Sequence, residues 1–232
     1  MKTKFLLVPA ALMLMAVTAN AQKSALILRG GVNFANISIN NDGDVDDNKS
    51  LTSFQAGLIG DLYIAPFFSI QPGLIFTGKG SKTESGSTSD QTYYRSTTNP
   101  YYLEVPVNFI FKTPTGPVKF FAGAGPYLAI GIAGKNKVDG KFLGTSFHSE
   151  DKIEWSDDDP TTLDYEEGAG YGIMKRFDYG LNGTAGIETK SLVISANYGL
   201  GLAKIQSGTN GSSDEDNNNK HRVFSVTVGF RL

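Results

Sequence analysis

The chain has 232 residues with no cysteine, and its 23 acidic and 21 basic residues give a formal net charge of −2. The lack of cysteine excludes disulfide bonds and a lipid anchor attached through a cysteine. The 27 glycines stand beside 15 phenylalanines and 10 tyrosines. Abundant glycine and aromatic residues at modest hydrophobicity are typical of membrane β-barrels, but exported β-sandwiches have similar totals.

The first 21 residues have the features of an export signal. Lys2 and Lys4 precede an apolar run at 5–17, and Ala19-Asn20-Ala21 follows that run. A basic head, an apolar stretch and two small residues at this spacing predict a secretory signal peptide, because the run is shorter than the about 20 residues of a membrane-spanning helix. We expect cleavage between Ala21 and Gln22.

The remaining chain, 22–232, is predicted to form one domain of eight strands in which apolar residues alternate with polar or small ones. Each segment is near or above the about 9–11 residues that a tilted membrane strand needs. The predicted strands are Ser24–Ser38, Leu51–Ile64, Ser69–Gly80, Asn99–Lys112, Val118–Ile132, Arg176–Glu188, Ser191–Lys204 and His221–Leu232. No later stretch has about 18 uninterrupted apolar residues, so we predict no transmembrane helix.

Short turns and long loops alternate between the predicted strands. The short turns are Ala65–Phe68, Thr113–Pro117 and Thr189–Lys190, and the long loops are Ile39–Ser50, Ser81–Thr98, Ala133–Lys175 and Ile205–Lys220. In outer membrane barrels the short turns lie in the periplasm and the long loops lie outside the cell. The pattern predicts an all-β fold: an eight-stranded antiparallel up-and-down transmembrane β-barrel with both termini in the periplasm.

The alternation assigns one face of each strand to lipid and the other to the barrel interior. In the last strand the large apolar residues at 224, 226, 228, 230 and 232 share the lipid face. Aromatic residues fall near both ends of the predicted strands, as expected for the two aromatic belts of a membrane barrel. Pro72, Pro106 and Pro126 count against this map unless β-bulges absorb them, because each removes a hydrogen-bond donor from a doubly paired strand.

Six short motifs follow one another along the predicted strands. They are Gly31-Val32-Asn33-Phe34-Ala35, Ser69-Ile70-Gln71-Pro72, Tyr102-Leu103-Glu104-Val105-Pro106, Ala122-Gly123-Ala124-Gly125-Pro126-Tyr127, Asn197-Tyr198-Gly199-Leu200 and Val226-Thr227-Val228-Gly229-Phe230-Arg231-Leu232. By their order and spacing the chain resembles the PorT-like outer membrane β-barrel family of Bacteroidota. The resemblance implies an eight-stranded barrel inserted by the barrel-assembly machinery, and its name-giving member implies a link to type IX secretion. Gly73, where the family often has an acidic residue, and the terminal Leu232 depart from its pattern.

Several charged residues fall on the inward face of the predicted strands. The candidates for an interior ion-pair network are Arg29, Asp61, Lys79, Glu104, Asp178, Glu188 and Arg231, with Lys119 on the same face. Side chains fill the interior of an eight-stranded barrel, and buried charges need partners. We therefore interpret these residues as a structural network rather than a proton or solute path. The strand ends place Arg29 and Asp61 at similar depth, as the predicted pair.

The long loops carry more acidic than basic residues. The acidic clusters are Asp42–Asp47, Asp157–Asp159 and Asp214–Asp216. The first cluster resembles the start of a calcium-binding loop but lacks its glycine at the sixth position and its glutamate at the twelfth, where Ser53 stands. We expect solvated loops with no metal or cofactor site, which contact outer membrane lipid, lipopolysaccharide and an unidentified envelope protein. Loop Ala133–Lys175 is long enough to be functional or disordered, and its Trp155 is predicted to pack over the barrel mouth.

Signatures of enzymes are sparse. His148 and His221 are the only histidines, and His148-Ser149 beside Glu150 and Asp151 is a weak candidate for a hydrolase triad, because triads assemble from separated segments. We find no zinc-protease motif, phosphate-binding loop or basic patch, and acidic loops argue against nucleic acid as a partner. We predict a non-enzymatic outer membrane protein with a structural or surface-interaction role. The alternatives are an accessory component of a secretion or transport assembly, a small pore and a surface enzyme.

Overall fold

The computed structural model describes residues 24–38, 48–87, 90–155, 173–205 and 220–232, and the predicted signal peptide with its cleavage site at Ala19, Ala21 and Gln22 lies outside them. Within these ranges no helix is long and apolar enough to cross a membrane. The strands are β1 (Ala25–Ser38), β2 (Asn48–Lys49), β3 (Leu51–Ala65), β4 (Phe68–Gly78), β5 (Ser81–Ser85), β6 (Tyr93–Lys112), β7 (Lys119–Phe142), β8 (Thr145–Lys152), β9 (Glu154–Trp155), β10 (Ile173–Met174), β11 (Phe177–Glu188), β12 (Leu192–Gly201) and β13 (Lys220–Arg231).

Eight of these strands close into an antiparallel ring. The order around the ring is β1, β3, β4, β6, β7, β11, β12 and β13, so each long strand pairs with its neighbours in the chain. The first and last strands complete the circle, from Ile27 opposite Arg231 to Ser38 opposite Lys220. A closed ring leaves no unpaired strand edge to face hydrocarbon. The predicted eight-stranded up-and-down barrel is confirmed.

The two faces of the ring strands differ as predicted. On β13, Phe224, Val226 and Val228 are 42–45% exposed, whereas the intervening Ser225 and Thr227 are at most 3% exposed. The same alternation of buried and exposed residues runs through the part of β6 that belongs to the ring, and through β7 and β12. Large apolar side chains therefore cover the outside of the barrel, and the lumen is filled mostly by small or polar side chains, with one buried apolar layer.

Aromatic side chains on the outer face gather near both ends of the ring. Phe54, Phe76 and Tyr101 form one contact group toward the long loops, with the rings of Phe76 and Tyr101 stacked at 5.3 Å. Phe68 and Phe111 lie 5.1 Å apart at the end that carries the short turns. Two such belts match the two polar boundaries of a bilayer, where aromatic rings are enriched.

Two segments that we predicted to be loops extend the barrel wall instead. β6 begins at Tyr93 rather than Asn99, and β7 continues to Phe142 rather than ending at Ile132. Beyond the ring, these extensions pair with each other and with β5 and β8, and β2 pairs with β5. The resulting sheet, in the order β2-β5-β6-β7-β8, is called the projecting sheet below. On β7 and β8 one face of this sheet is charged and the other mixes polar residues with Val138, Phe142 and Phe147, so the regular apolar alternation that marks a membrane strand is missing there.

The three prolines that counted against the predicted strands, Pro72, Pro106 and Pro126, are accommodated by gaps in the pairing, whereas a fourth strand proline, Pro100, lies beside a β-bulge at Tyr101 and Tyr102. The β3–β4 ladder breaks beside Pro72, the β4–β6 ladder breaks beside Pro106, and the β6–β7 ladder breaks beside Pro126. Each proline keeps its pairing with the strand on its other side, which lets the wall continue without the missing N–H donor.

Gly125 lies in the gap beside Pro126 and tests this register. A β-carbon at Gly125 would stand 1.9 Å from the carbonyl oxygen of Val107, whereas one at Gly183 on β11 meets nothing within 4 Å. We expect Gly125→Ala to force β6 and β7 apart, at a cost of about 1–3 kcal/mol, and to lower the temperature at which the folded barrel changes its mobility on a gel. Gly183→Ala is the matched control and should leave that temperature unchanged. Equal behaviour of the two variants would contradict the register.

Candidate functional site: the closed lumen and the projecting sheet

A ring of four charged side chains closes the lumen near the short turns. We call it the periplasmic cluster: Asp61, Lys112, Glu188 and Arg231. The Lys112 ammonium lies 2.6 Å from Asp61 and 2.8 Å from Glu188, and the Arg231 guanidinium lies 2.9 Å from each. The four residues come from β3, β6, β11 and β13, so the cluster spans the full width of the barrel.

Neutral polar groups complete the periplasmic cluster. Gln71 donates a hydrogen bond of 3.0 Å to Asp61, and the Tyr63 hydroxyl donates one of 3.1 Å to Glu188. These donors supply the opposite charges and hydrogen bonds that buried carboxylates require. Directly above them an apolar layer fills the lumen: Ile27, Ile59, Ile75, Ile110, Phe121 and Val193.

A second group, the outer cluster, closes the lumen farther from the short turns. It consists of Lys79, Glu104 and Asp178, with the Lys79 ammonium 2.6 Å from Glu104 and 2.9 Å from Asp178. Tyr127 donates a hydrogen bond to Asp178, and Asn182 donates one to Glu104. The Lys79 ammonium also lies 3.9 Å from the centre of the Tyr127 ring, a cation–π contact.

The space between the apolar layer and the outer cluster is a small polar cavity of about 40 Å³. Arg29 lines it and donates to Asn197 at 3.5 Å, beside Gln55, Asn108 and Thr184. A cavity of this size and polarity holds a few water molecules rather than a continuous aqueous channel. The lumen is thus filled in layers along its length.

Aromatic and apolar side chains seal the mouth above the outer cluster. Tyr102 contacts Trp155 edge-on at 5.5 Å and His221 at 5.3 Å, and its hydroxyl lies 3.2 Å from a ring nitrogen of His221. Trp155 further packs against a group formed by Ile153, Met174 and Ile205. Trp155 therefore lies across the barrel mouth, the position expected from the sequence.

Six of the seven predicted interior residues lie in the two clusters, and Arg29 lies between them. The predicted pairing of Arg29 with Asp61 was wrong. Asp61 lies opposite Ala25, and Arg29 lies opposite Gly57, because neighbouring barrel strands are staggered and their ends do not mark equal depth. Lys112 was missing from the predicted network, although the alternation of its strand places it on the inward face. Lys119 lies at the periplasmic mouth beside Tyr63.

The candidate triad around His148 does not form. His148 contacts Asp139 at 2.6 Å on the outward face of the projecting sheet, whereas Ser149 belongs to the opposite face and donates its hydroxyl hydrogen to Asp151. Within the described ranges no three histidine or acidic side chains are placed to hold a metal ion. The acidic clusters Asp42–Asp47, Asp157–Asp159 and Asp214–Asp216 lie outside the described residues.

Basic residues collect on the outward face of the projecting sheet, although the sequence shows no basic run. This face carries Lys82, Arg95, Lys135, Lys137, Lys141 and Lys152 against the acids Glu84, Asp139 and Glu150. Glu84 bridges Lys82 and Arg95, and Glu150 bridges Lys135 and Lys137. The patch was missed because alternate positions of four strands contribute to it.

Sequence comparison agrees with this architecture. Residues 20–207 match the family described as outer membrane protein beta-barrel domain. The chain belongs to this family. Membership assigns it to the outer membrane, in accord with the apolar outer surface and the two aromatic belts. No functionally curated protein matches the sequence.

Solved outer membrane proteins show a distant likeness in fold. Ail of Yersinia pestis, solved with the heparin analogue sucrose octasulfate, is 12% identical, with a TM-score of 0.40 over 91% of this chain and 100% of Ail. OprG of Pseudomonas aeruginosa is 14% identical, with a TM-score of 0.42 over 90% and 95% of the two chains. Neisserial surface protein A is 13% identical, with a TM-score of 0.39 over 91% and 99%. At such identities the likeness concerns the fold alone.

Removing Lys112 tests how much the periplasmic cluster contributes to the stability of the barrel. Lys112→Met leaves two buried carboxylates with Arg231 as their only cation, so we expect the free energy of unfolding to fall by about 3–5 kcal/mol in denaturant titrations in detergent. Lys112→Met combined with Asp61→Asn should recover part of the loss. Lys137→Met removes a lysine from an exposed ion pair and should lower the free energy of unfolding far less than Lys112→Met does. Equal stability of Lys112→Met and the wild type would contradict the cluster's role.

Glu150 on β8, outside the membrane-spanning strands, gives a prediction in pH. Hydrogen bonds from Lys135 and Lys137 lower the pKa of its carboxyl from 4.5 to about 2. A lowered pKa in the folded state means that these pairs support the β7–β8 hairpin above about pH 4.5 and are lost as the pH falls through 2. The carbon resonance of the Glu150 carboxyl should titrate near 2 and move toward 4.5 in Lys135→Gln/Lys137→Gln, while Lys82→Gln leaves it unchanged. An unperturbed midpoint in the wild type would disprove the pairing.

Proposed function

We propose that this protein is a closed, non-conducting and non-enzymatic outer membrane barrel that holds the projecting sheet above the membrane for interactions at the cell surface. The observation that carries the proposal is the closure of the lumen at two levels by ion-paired side chains from opposite walls. Four acidic and four basic side chains meet in the lumen, so its charge is balanced. A balanced, filled interior offers no selectivity site and no path for a solute.

The surface role rests on how the wall continues beyond the ring. β6 has 20 residues and β7 has 24, about twice the number that a tilted strand needs to cross the membrane. The excess residues form a hydrogen-bonded sheet rather than an irregular loop. The tip of the β7–β8 hairpin in this sheet exposes Phe142, Leu143 and Phe147. Sequence features support export by a cleaved signal peptide and insertion by the barrel-assembly machinery.

A second candidate is an accessory role in a secretion or transport assembly. The resemblance of the strand motifs to the PorT-like family supports it, and so does the exposed apolar tip at Phe142, Leu143 and Phe147, since such groups favour protein contacts. A photo-crosslinker placed at Phe147 in intact cells should then capture one specific envelope protein. Capture of none, or of the same set as a crosslinker at Lys82, would reject this candidate.

Planar bilayer recordings test the closed lumen. We expect the purified wild-type barrel to produce no discrete conductance steps, because the two ion-paired clusters and the apolar layer fill the lumen on either side of the cavity of about 40 Å³. A porin inserted in the same membranes serves as the positive control, and the heat-dependent gel shift shows that the inserted sample is folded. Reproducible steps from the wild-type protein would overturn the proposal.

A further inference from the structure

A groove marks the outside of the barrel where the ring meets the projecting sheet. Its lower part is apolar, with Tyr101, Ile132 and Ala133, and its upper part carries Lys135, Lys137 and Lys152. The volume of this junction groove is about 750 Å³. Because Tyr101 belongs to the aromatic belt on the side of the long loops, the groove straddles the boundary between hydrocarbon and water at the outer leaflet.

The lysines of the junction groove are incompletely neutralised. Lys135 and Lys152 lie directly opposite each other on β7 and β8, and like charges in such a cross-strand pair repel each other. Glu150 is bound to both Lys135 and Lys137, so these three side chains keep one net positive charge. In the described part of the chain, Lys152 has no ion-pair partner. The lining of the groove therefore contains three lysines and no acid, and with Glu150 beside them the lysines keep an excess of two positive charges.

We propose that the junction groove binds the phosphorylated head of an outer-leaflet glycolipid. Lys135, Lys137 and Lys152 contact its phosphate, and the acyl chains lie on the apolar outer surface below, where Leu128 is 69% and Ile132 49% exposed. Lysine binds phosphate as a mobile point charge, which suits three flexible side chains around one anionic group. Thr97 and Asn99 in the groove wall offer hydrogen bonds to sugar hydroxyls.

The apolar floor distinguishes this ligand from a soluble polyanion. A sulfated or phosphorylated sugar chain without acyl groups would use only the lysines and would leave Ile132 and Leu128 uncovered. A phosphorylated glycolipid has phosphate for the lysines and acyl chains for the apolar floor, so it matches both parts of the groove. This inference rests on the proposed orientation, with the projecting sheet outside the cell, but not on the closed lumen, so bilayer recordings and lipid binding can fail independently.

The outward face of the projecting sheet offers a matched control. The groove variant is Lys135→Gln/Lys137→Gln/Lys152→Gln, and the control variant is Lys82→Gln/Arg95→Gln/Lys141→Gln. Each removes three positive charges from the same face, and each includes two cations that one glutamate bridges. Because the control residues lie outside the groove, any general effect of net charge appears equally in both variants.

The measurement is binding of fluorescent diphosphoryl lipid A to the full barrel in nanodiscs of neutral phosphatidylcholine. We expect saturable binding by the wild type, weakening of at least about tenfold in the groove variant and a change of less than about threefold in the control variant. Binding should also weaken in high salt and with dephosphorylated lipid A. The heat-dependent gel shift verifies that both variants are folded.

Three results would overturn the proposal. Binding without saturation would show that lipid A only partitions into the disc. Equal loss in the groove and control variants would show attraction by net charge alone. Binding of heparin with the same lysine dependence, in the absence of lipid A binding, would assign the groove to a soluble polyanion.

Discussion

Closure of the strand ring is the constraint on which the rest of the structure depends. Hydrocarbon offers no hydrogen-bond partner, so every backbone N–H and C=O inside the bilayer must be paired within the protein. Pairing of β1 with β13 removes the last open edge. Closing only eight strands forces them to tilt and stagger and leaves a lumen that side chains fill. The choice of inward-facing residues therefore becomes a packing problem in a low-dielectric space.

The interior solves this packing problem with charges that bridge distant strands. Lys112 on β6 and Arg231 on β13 each contact both Asp61 and Glu188. If one cation is removed, each acid therefore keeps one of its two ion-pair partners. Ion pairs of this kind fix the relative positions of strands that share no backbone hydrogen bonds. The filled lumen follows from the same contacts, which is why structure and lack of conduction are linked in our proposal.

Each ring strand faces lipid on one side and the lumen on the other, so its apolar residues recur at every second position. The eight ring strands can therefore be predicted from the sequence. The same alternation places the inward charges on the correct face, but it carries no information on stagger, and the Arg29–Asp61 pairing failed for that reason. The projecting sheet escapes prediction since its strands lack the regular apolar alternation of the ring strands. Its basic patch escapes too, because Lys135 and Lys152 come together only through the β7–β8 register.

The unbroken course of β7 sets a mechanical property of the molecule. From Gly134 to Phe142 the strand continues outward for about 26 Å, at about 3.3 Å per residue, with β6 beside it and β8 on the other flank for most of that distance. A β-bulge at Tyr101 and Tyr102 shifts the β6–β7 register at the base of the projecting sheet, but the pairing continues on both sides of it. A partner bound at the Leu143–Gly144 turn is therefore held at a fixed distance from the bilayer. A force applied to that partner acts directly on the barrel wall.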